Sequence, residues 1–137
     1  MLVKQIMSAQ VVTVEMDDTL QVVKAIFENL RFHHLLVVED GELVGVVSDR
    51  DLLKAISPNI GSNTESYRDT ATLNKKVHQI MTRNPVTLNQ NASLHDAIRI
   101  FNGNRISCLP VVNDTARLVG ILSWRDILKH LEGLLIT

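Results

Sequence analysis

The stretch Gly45-Val46-Val47-Ser48-Asp49-Arg50-Asp51 returns later in the chain as Gly120-Ile121-Leu122-Ser123-Trp124-Arg125-Asp126. Each copy is an apolar run interrupted by one glycine, then Ser-x-x-Asp, then a segment with helical spacing, which spells a strand turning into a helix. A serine at that corner accepts a bond from a free backbone N–H of the first turn. The acid three residues on complements the positive end of the helix dipole.

The duplication extends outward from the corners. Downstream, Leu53-Lys54 matches Leu128-Lys129; upstream, Asp40 matches Asp114, Val37-Val38 matches Val111-Val112, and Arg31 matches Arg105. Further back, Ile26-Phe27 matches Ile100-Phe101, Leu20 matches Leu94, Thr13 matches Thr87, and Val3-x-x-Ile6-Met7-Ser8 matches Val77-x-x-Ile80-Met81-Thr82. The second copy carries one extra residue between Asp114 and Val119, where a turn between strands would tolerate it.

Each copy reads as strand, helix, strand, strand, helix. Residues 11–14 form the first strand, and residues 19–30 a helix whose core face is Leu20, Val23, Ile26, Phe27 and Leu30. Residues 34–39 and 43–47 form a hairpin around Asp40-Gly41, and the closing helix begins at Ser48, or at Ser123 in the second copy, where it runs to about residue 131. The fold class is therefore mixed α+β: two β-α-β-β-α repeats with small three-stranded sheets, packed as one pseudo-two-fold pair. Residues 1–56 hold the first repeat, 57–76 a linker and 77–137 the second, and all 137 residues form one folding unit. The linker has the Pro58, Gly61, Ser, Asn and Thr content of a surface connection; it exceeds the usual loop length, so it is either mobile or partly helical near residues 71–76.

Composition narrows the function classes. A 45% hydrophobic and 21% charged chain folds as a soluble domain, and 14 basic against 15 acidic residues give no field for drawing in nucleic acid. The longest apolar runs, such as residues 35–38 and 109–112, fall far short of a membrane span of about 20 residues. No export signal is legible at the start, and the single Cys108 precludes an internal disulfide, so cytoplasmic residence is expected. The six glycines stand singly, which excludes Gly-rich phosphate loops, and the five histidines lack metal-ligand spacing. No G-x-S-x-G elbow is present, and Cys108 reads as a buried structural thiol in its apolar setting. No catalytic residue and no metal site is expected.

The corners remain as the informative feature. Helix capping alone accounts for them, and Ser93-x-x-Asp96 shows the same pattern with no ligand implied. The same atoms can also hold a nucleotide: a hydroxyl and free N–H groups take a phosphate, and a carboxylate takes a ribose diol. Gly45 and Gly120 serve either a close ligand approach or close packing. Arg50 and Arg125 reach phosphate or lie in solvent. Trp124 stacks on a base, meets a dimer partner, or is exposed without function. His33 and His34 read as strand residues in a satisfied setting.

In combination these motifs resemble the paired cystathionine-beta-synthase (CBS) domains, or Bateman module. The resemblance rests on Ile6-Met7-Ser8 and Ile80-Met81-Thr82, on Ile106-Ser107-Cys108-Leu109-Pro110-Val111-Val112, and on the two corners, and it covers residues 3 to about 131. The segment from Leu73 to Met81 looks like that of stand-alone bacterial members grouped with acetoin-utilisation proteins. The resemblance implies a regulatory module that binds AMP, ADP, ATP or S-adenosylmethionine in clefts between the repeats, with no obligatory cofactor. Asp51 and Asp126 would clasp ribose hydroxyls, Ser48 and Ser123 would touch phosphate, and Arg50 and Arg125 could join them. The backbone at Thr13 and at Pro85, Val86 and Thr87 would border adenine, with Ile106, Leu109 and Pro110 as an apolar wall. The two copies differ at Leu36 against Pro110 and His34 against Cys108, and the Asp126 site ranks first. A disc-like homodimer and an unknown effector protein acting in trans are the implied partners, with neither nucleic acid nor membrane. The alternatives are a ligand-free interaction or scaffolding module and, more remotely, an enzyme.

Overall fold

The computed structural model describes residues 1–136; Thr137, the last residue of the second repeat as read from the sequence, lies outside the described residues. The chain divides into two compact units, residues 12–84 (the first unit) and residues 1–11 with 85–137 (the second unit).

The first unit contains β1 (Thr13–Glu15), α1 (Leu20–Asn29), β2 (His34–Glu39), β3 (Glu42–Ser48), α2 (Asp49–Ala55), α3 (Tyr67–Ala71) and β4 (Thr82–Arg83). Its sheet runs β1-β2-β3-β4, with β1 parallel to β2 and the other pairs antiparallel. Asp40 and Gly41 turn the β2–β3 hairpin with φ of 51° and 81°, the left-handed pair that a tight two-residue connection demands. The core gathers Val14, Leu20, Val23, Leu35, Val37, Val47, Leu52, Val77 and Met81. Leu30 departs from the expected helical stripe: it caps α1 in extended geometry and is 44% exposed.

The second unit contains β5 (Leu88–Asn89), α4 (Leu94–Gly103), β6 (Cys108–Val112), β7 (Leu118–Ser123) and α5 (Trp124–Leu134), with sheet order β5-β6-β7. It is the same plan, down to a register shift at Val111/Val112 that matches the one at Val37/Val38. The extra residue lies in the 113–117 turn, where the Asn113 side chain accepts from the N–H groups of Thr115 and Arg117, both at 3.0 Å. The core is Val3, Leu88, Ala97, Phe101, Leu109, Val111, Leu122 and Ile127.

The leading segments are exchanged between the repeats. Val77 and Met81, which open the second repeat, are core residues of the first unit, whereas Val3, which opens the first repeat, is a core residue of the second. The backbone bonds match position for position: Val77 N–H donates to Asp18 and His78 N–H to Met16, as Val3 N–H donates to Ala92 and Lys4 N–H to Gln90. The segment after Met81 supplies β4, a fourth strand that the repeat pattern did not announce, pairing with β3 at Gly45 and Val46. Ser8 takes the corresponding place beside Ile121 as a single bridge.

Both strand glycines follow from this exchange. A Cβ on Gly45 would sit 2.7 Å from Met81 Sδ and 2.9 Å from the Thr82 carbonyl oxygen; on Gly120 it would sit 2.7 Å from both Met7 Sδ and the Ser8 carbonyl oxygen. Close approach of the protein's own chain therefore explains these glycines. The linker contains α3 and a 3₁₀ helix at Thr72–Asn74, so it is partly helical as expected, with the helical stretch beginning at Tyr67 and ending at Asn74. Asp69 ties it down by accepting from the Ser57 hydroxyl at 2.6 Å, a bond that is the first cause holding its carboxyl below the ordinary range. Among the described residues no helix is long and apolar enough to cross a membrane.

Candidate functional site

Both Ser-x-x-Asp corners form reciprocal caps. In the first unit Asp51 N–H donates to Ser48 Oγ at 3.0 Å, and Ser48 N–H donates to Asp51 Oδ2 at 2.8 Å. In the second, Asp126 N–H donates to Ser123 Oγ at 3.3 Å, while Ser123 gives its N–H and its hydroxyl to Asp126 Oδ2 at 2.8 and 3.1 Å. Within each cap the carboxylate uses Oδ2 alone, and both aspartates are half-buried. Oδ1 is left as the acceptor that a hydroxyl could reach.

Sheet register gathers the other candidates around each corner. Ser123 lies across from Cys108 in the antiparallel β6–β7 pair, and Leu88 lies beside Val111 in the parallel β5–β6 pair. Pro85, Val86 and Thr87 therefore lead into β5 alongside the start of β6, on the side opposite Ser123. Val86 and Thr87 are exposed, and Pro85 and Ile106 are half-buried. Leu109 is a core residue with 0% exposure, and Pro110, its neighbour on the opposite sheet face, is fully buried too. Arg125 is exposed, as is Arg50 in the first unit. There, Ser48 pairs with His34 and Thr13 with Leu36, which again sets two strands beside the start of a central one.

The electrostatics distinguish the corners. His33 Nδ1 lies 3.0 Å from Asp49 Oδ2, and Asp49 N–H donates to the His33 carbonyl, so the start of β2 is clasped to the start of α2. Burial pushes the His34 imidazole below its ordinary value, against the opposing influence of Asp49. The second unit has Ser107 and Cys108 at these positions and Trp124 in place of Asp49. Cys108 is buried, as its apolar setting implies. Among the described residues no cluster of His, Cys, Asp and Glu could hold a metal ion.

Ser93 and Asp96 build the same cap at α4, with Asp96 N–H donating to Ser93 Oγ at 3.0 Å. A feature that the corner motifs did not signal is a groove of about 300 Å³ between α4 and α5, lined by Ile98, Phe101, Asn102, Trp124, Ile127 and Leu128. Trp124 meets Phe101 edge-on, with ring centroids 6.4 Å apart and planes at 82°. Neither Ser123 nor Asp126 lines this groove.

The CBS domain family matches this chain twice, over residues 3–58 and 77–133. A CBS domain-containing protein of Dictyostelium discoideum is 36% identical over 132 residues, 95% of this chain and 90% of that protein. Among solved structures, the CBS domain pair of protein MJ0100, in complex with 5-methylthioadenosine and S-adenosyl-L-methionine, aligns with a TM-score of 0.77 at 28% identity and covers 98% of each chain. A Vibrio cholerae protein assigned to acetoin utilization, AcuB, aligns with a TM-score of 0.78 at 26% identity, over 98% of this chain and 93% of that one. The chain spans 37% of an uncharacterized Methanocaldococcus jannaschii protein and 23% of the inosine-5'-monophosphate dehydrogenase of that organism.

Proposed function

The chain belongs to the CBS domain family and carries the domain twice; from that premise we propose that it is a regulatory module that binds an adenosine-containing ligand, AMP, ADP, ATP or S-adenosylmethionine, and signals to a partner protein without catalysis of its own. The observation that carries this reading is the duplicated corner, in which the capping carboxylate spends only Oδ2 on the backbone. A diol clasped by Oδ1 of Asp126 gains bonds to a charged acceptor, each contributing about 1.5–3 kcal/mol. Ser123 and Arg125 stand beside it for phosphate, and Pro85, Val86 and Thr87 flank the same strand end for the base. The MJ0100 pair, solved with two adenosine derivatives, supports this ligand class. Asp51, Ser48, Arg50 and Thr13 form the second site. The module works as a homodimer, and a ligand that favours one of two arrangements of the repeats transmits the signal.

A second reading, an interaction module whose corners only cap helices, draws on Ser93 and Asp96, which build the same cap at α4. Calorimetric titration with AMP, ADP, ATP and S-adenosylmethionine separates the two. Asp126→Asn keeps an oxygen for the Ser123 N–H but removes the charge, so it should weaken binding by about tenfold, while Asp96→Asn leaves it unchanged. Binding that survives Asp51→Asn and Asp126→Asn together refutes the site, and absence of binding by all four ligands favours the interaction module.

A further inference from the structure

The two corners differ by one negative charge. Asp49 and Trp124 hold equivalent places, directly after the corner serine, and the arginine that follows, Arg50 or Arg125, is exposed in both. Trp124 turns to Phe101 and brings no charge. Asp49 stays at its corner, because His33 Nδ1 lies 3.0 Å from its Oδ2. An ionised carboxylate only accepts, so Nδ1 carries the hydrogen, and a neutral ring holds Asp49 in place without cancelling its charge. His34 does not offset that charge either. Burial pushes its imidazole below the ordinary value, and the groups it senses, Asp49, His33 and Asp51, place all four side chains at one corner.

We propose that Asp49 determines which adenosine compounds the Asp51 corner accepts: it turns away a 5′-phosphate, so that corner takes a ligand whose 5′ substituent is neutral or cationic, while the Asp126 corner also admits a phosphate. This rests on the nucleotide reading above, in which the corner serine meets the group at the 5′ position. Asp49 is the next residue along, so a phosphate drawn to Ser48 approaches its carboxylate as well. A phosphomonoester carries about two negative charges above its second pKa of about 6, whereas a thioether has none and a sulfonium is positive. With 48% of the Asp49 side chain exposed, solvent screens part of the repulsion, which leaves a discrimination of about tenfold rather than complete exclusion.

Titration with AMP and with 5′-methylthioadenosine, which differ only at the 5′ position, tests it at about pH 8, where an ordinary imidazole is neutral. The backbone amide NMR signals of Asp51 and Asp126, followed as each compound is added, report the two corners separately. The ratio of the two affinities should favour 5′-methylthioadenosine about tenfold more at Asp51 than at Asp126. Asp49→Asn keeps an oxygen for His33 and loses the charge, so it should tighten AMP at Asp51 about tenfold and leave 5′-methylthioadenosine unchanged. Equal ratios at the two corners, or an Asp49→Asn protein in which both compounds shift together or neither does, overturns the role of Asp49 while leaving the sites standing. Signals at Asp51 that respond to neither compound, while those at Asp126 respond, remove the Asp51 corner as a site and this inference with it. Response at neither corner overturns the nucleotide reading as well.

Discussion

Replacing Gly120 by alanine tests the exchange of leading segments at its tightest point. The new Cβ would lie 2.7 Å from the Ser8 carbonyl oxygen, well inside van der Waals contact, and 2.7 Å from Met7 Sδ. The sulfur can move, but the carbonyl cannot move alone. Ile121 N–H donates to it at 2.9 Å, and Ser8 N–H returns a bond to the Ile121 carbonyl at 2.9 Å, so relief of the clash opens both bonds. Two net hydrogen bonds contribute about 2 kcal/mol, and displacing Met7 adds about 1–3 kcal/mol. Against this, alanine recovers about 0.5–1 kcal/mol of backbone entropy. The expected net destabilisation is about 2–4 kcal/mol, read as a lowered midpoint in chemical denaturation. Gly133, in α5, is the control: a Cβ there would meet nothing within 4 Å, and Gly133→Ala should stabilise by about 0.5–1 kcal/mol. If Gly120→Ala stays within about 0.5 kcal/mol of wild type, the segment does not press on the sheet as described, and the glycine must be explained by ligand approach instead.

Three further outcomes follow from local chemistry. Ala116 holds φ at 61°, so Ala116→Gly should stabilise by about 1 kcal/mol in thermal or chemical melts; a loss would mean the turn does not hold that angle. Leu109→Ala should cost about 2–5 kcal/mol, because the side chain is fully buried among Val3, Leu88 and Val111; a cost below about 1 kcal/mol would place it at a surface. His34 titrates below its ordinary value of 6.5 because burial favours the neutral ring, so the unfolded chain binds the proton first. Its contribution is therefore intact above pH 6.5 and is lost as pH falls from there through the folded value. The stability difference between pH 7.5 and pH 5 should shrink in His34→Gln, and identical pH slopes would refute the assignment.

The repeat, the hairpins and the corners were legible because each rests on neighbouring residues: Asp40-Gly41 dictates its turn, and Ser123 and Asp126 close a cap within one helical turn. The exchange of Val3 and Val77 was not, since a repeated motif fixes which segments are alike and not which sheet each one joins. Strand β4 was missed for the same reason, because two residues, Thr82 and Arg83, show no alternation and pair only through long-range contact. Leu30 obeyed the helical spacing, yet the helix stops one residue before it. Alternation along β6 puts Leu109 and Val111 into the core and Pro110 on the other face, a distinction that a list of wall residues does not make. Trp124 stood out in the sequence, but the groove it lines with Ile98 and Phe101 depends on how α4 and α5 pack, which spacing along one helix does not show.

A crystal structure of the protein grown with whichever adenosine ligand binds tightest is the most direct measurement of the central claim. The account predicts ribose hydroxyls within hydrogen-bond distance of Asp126 Oδ1, with the base beside residues 85–87. A ligand seated elsewhere, with Asp51 and Asp126 still bonded only to the backbone and hydroxyls of their own caps, would contradict it.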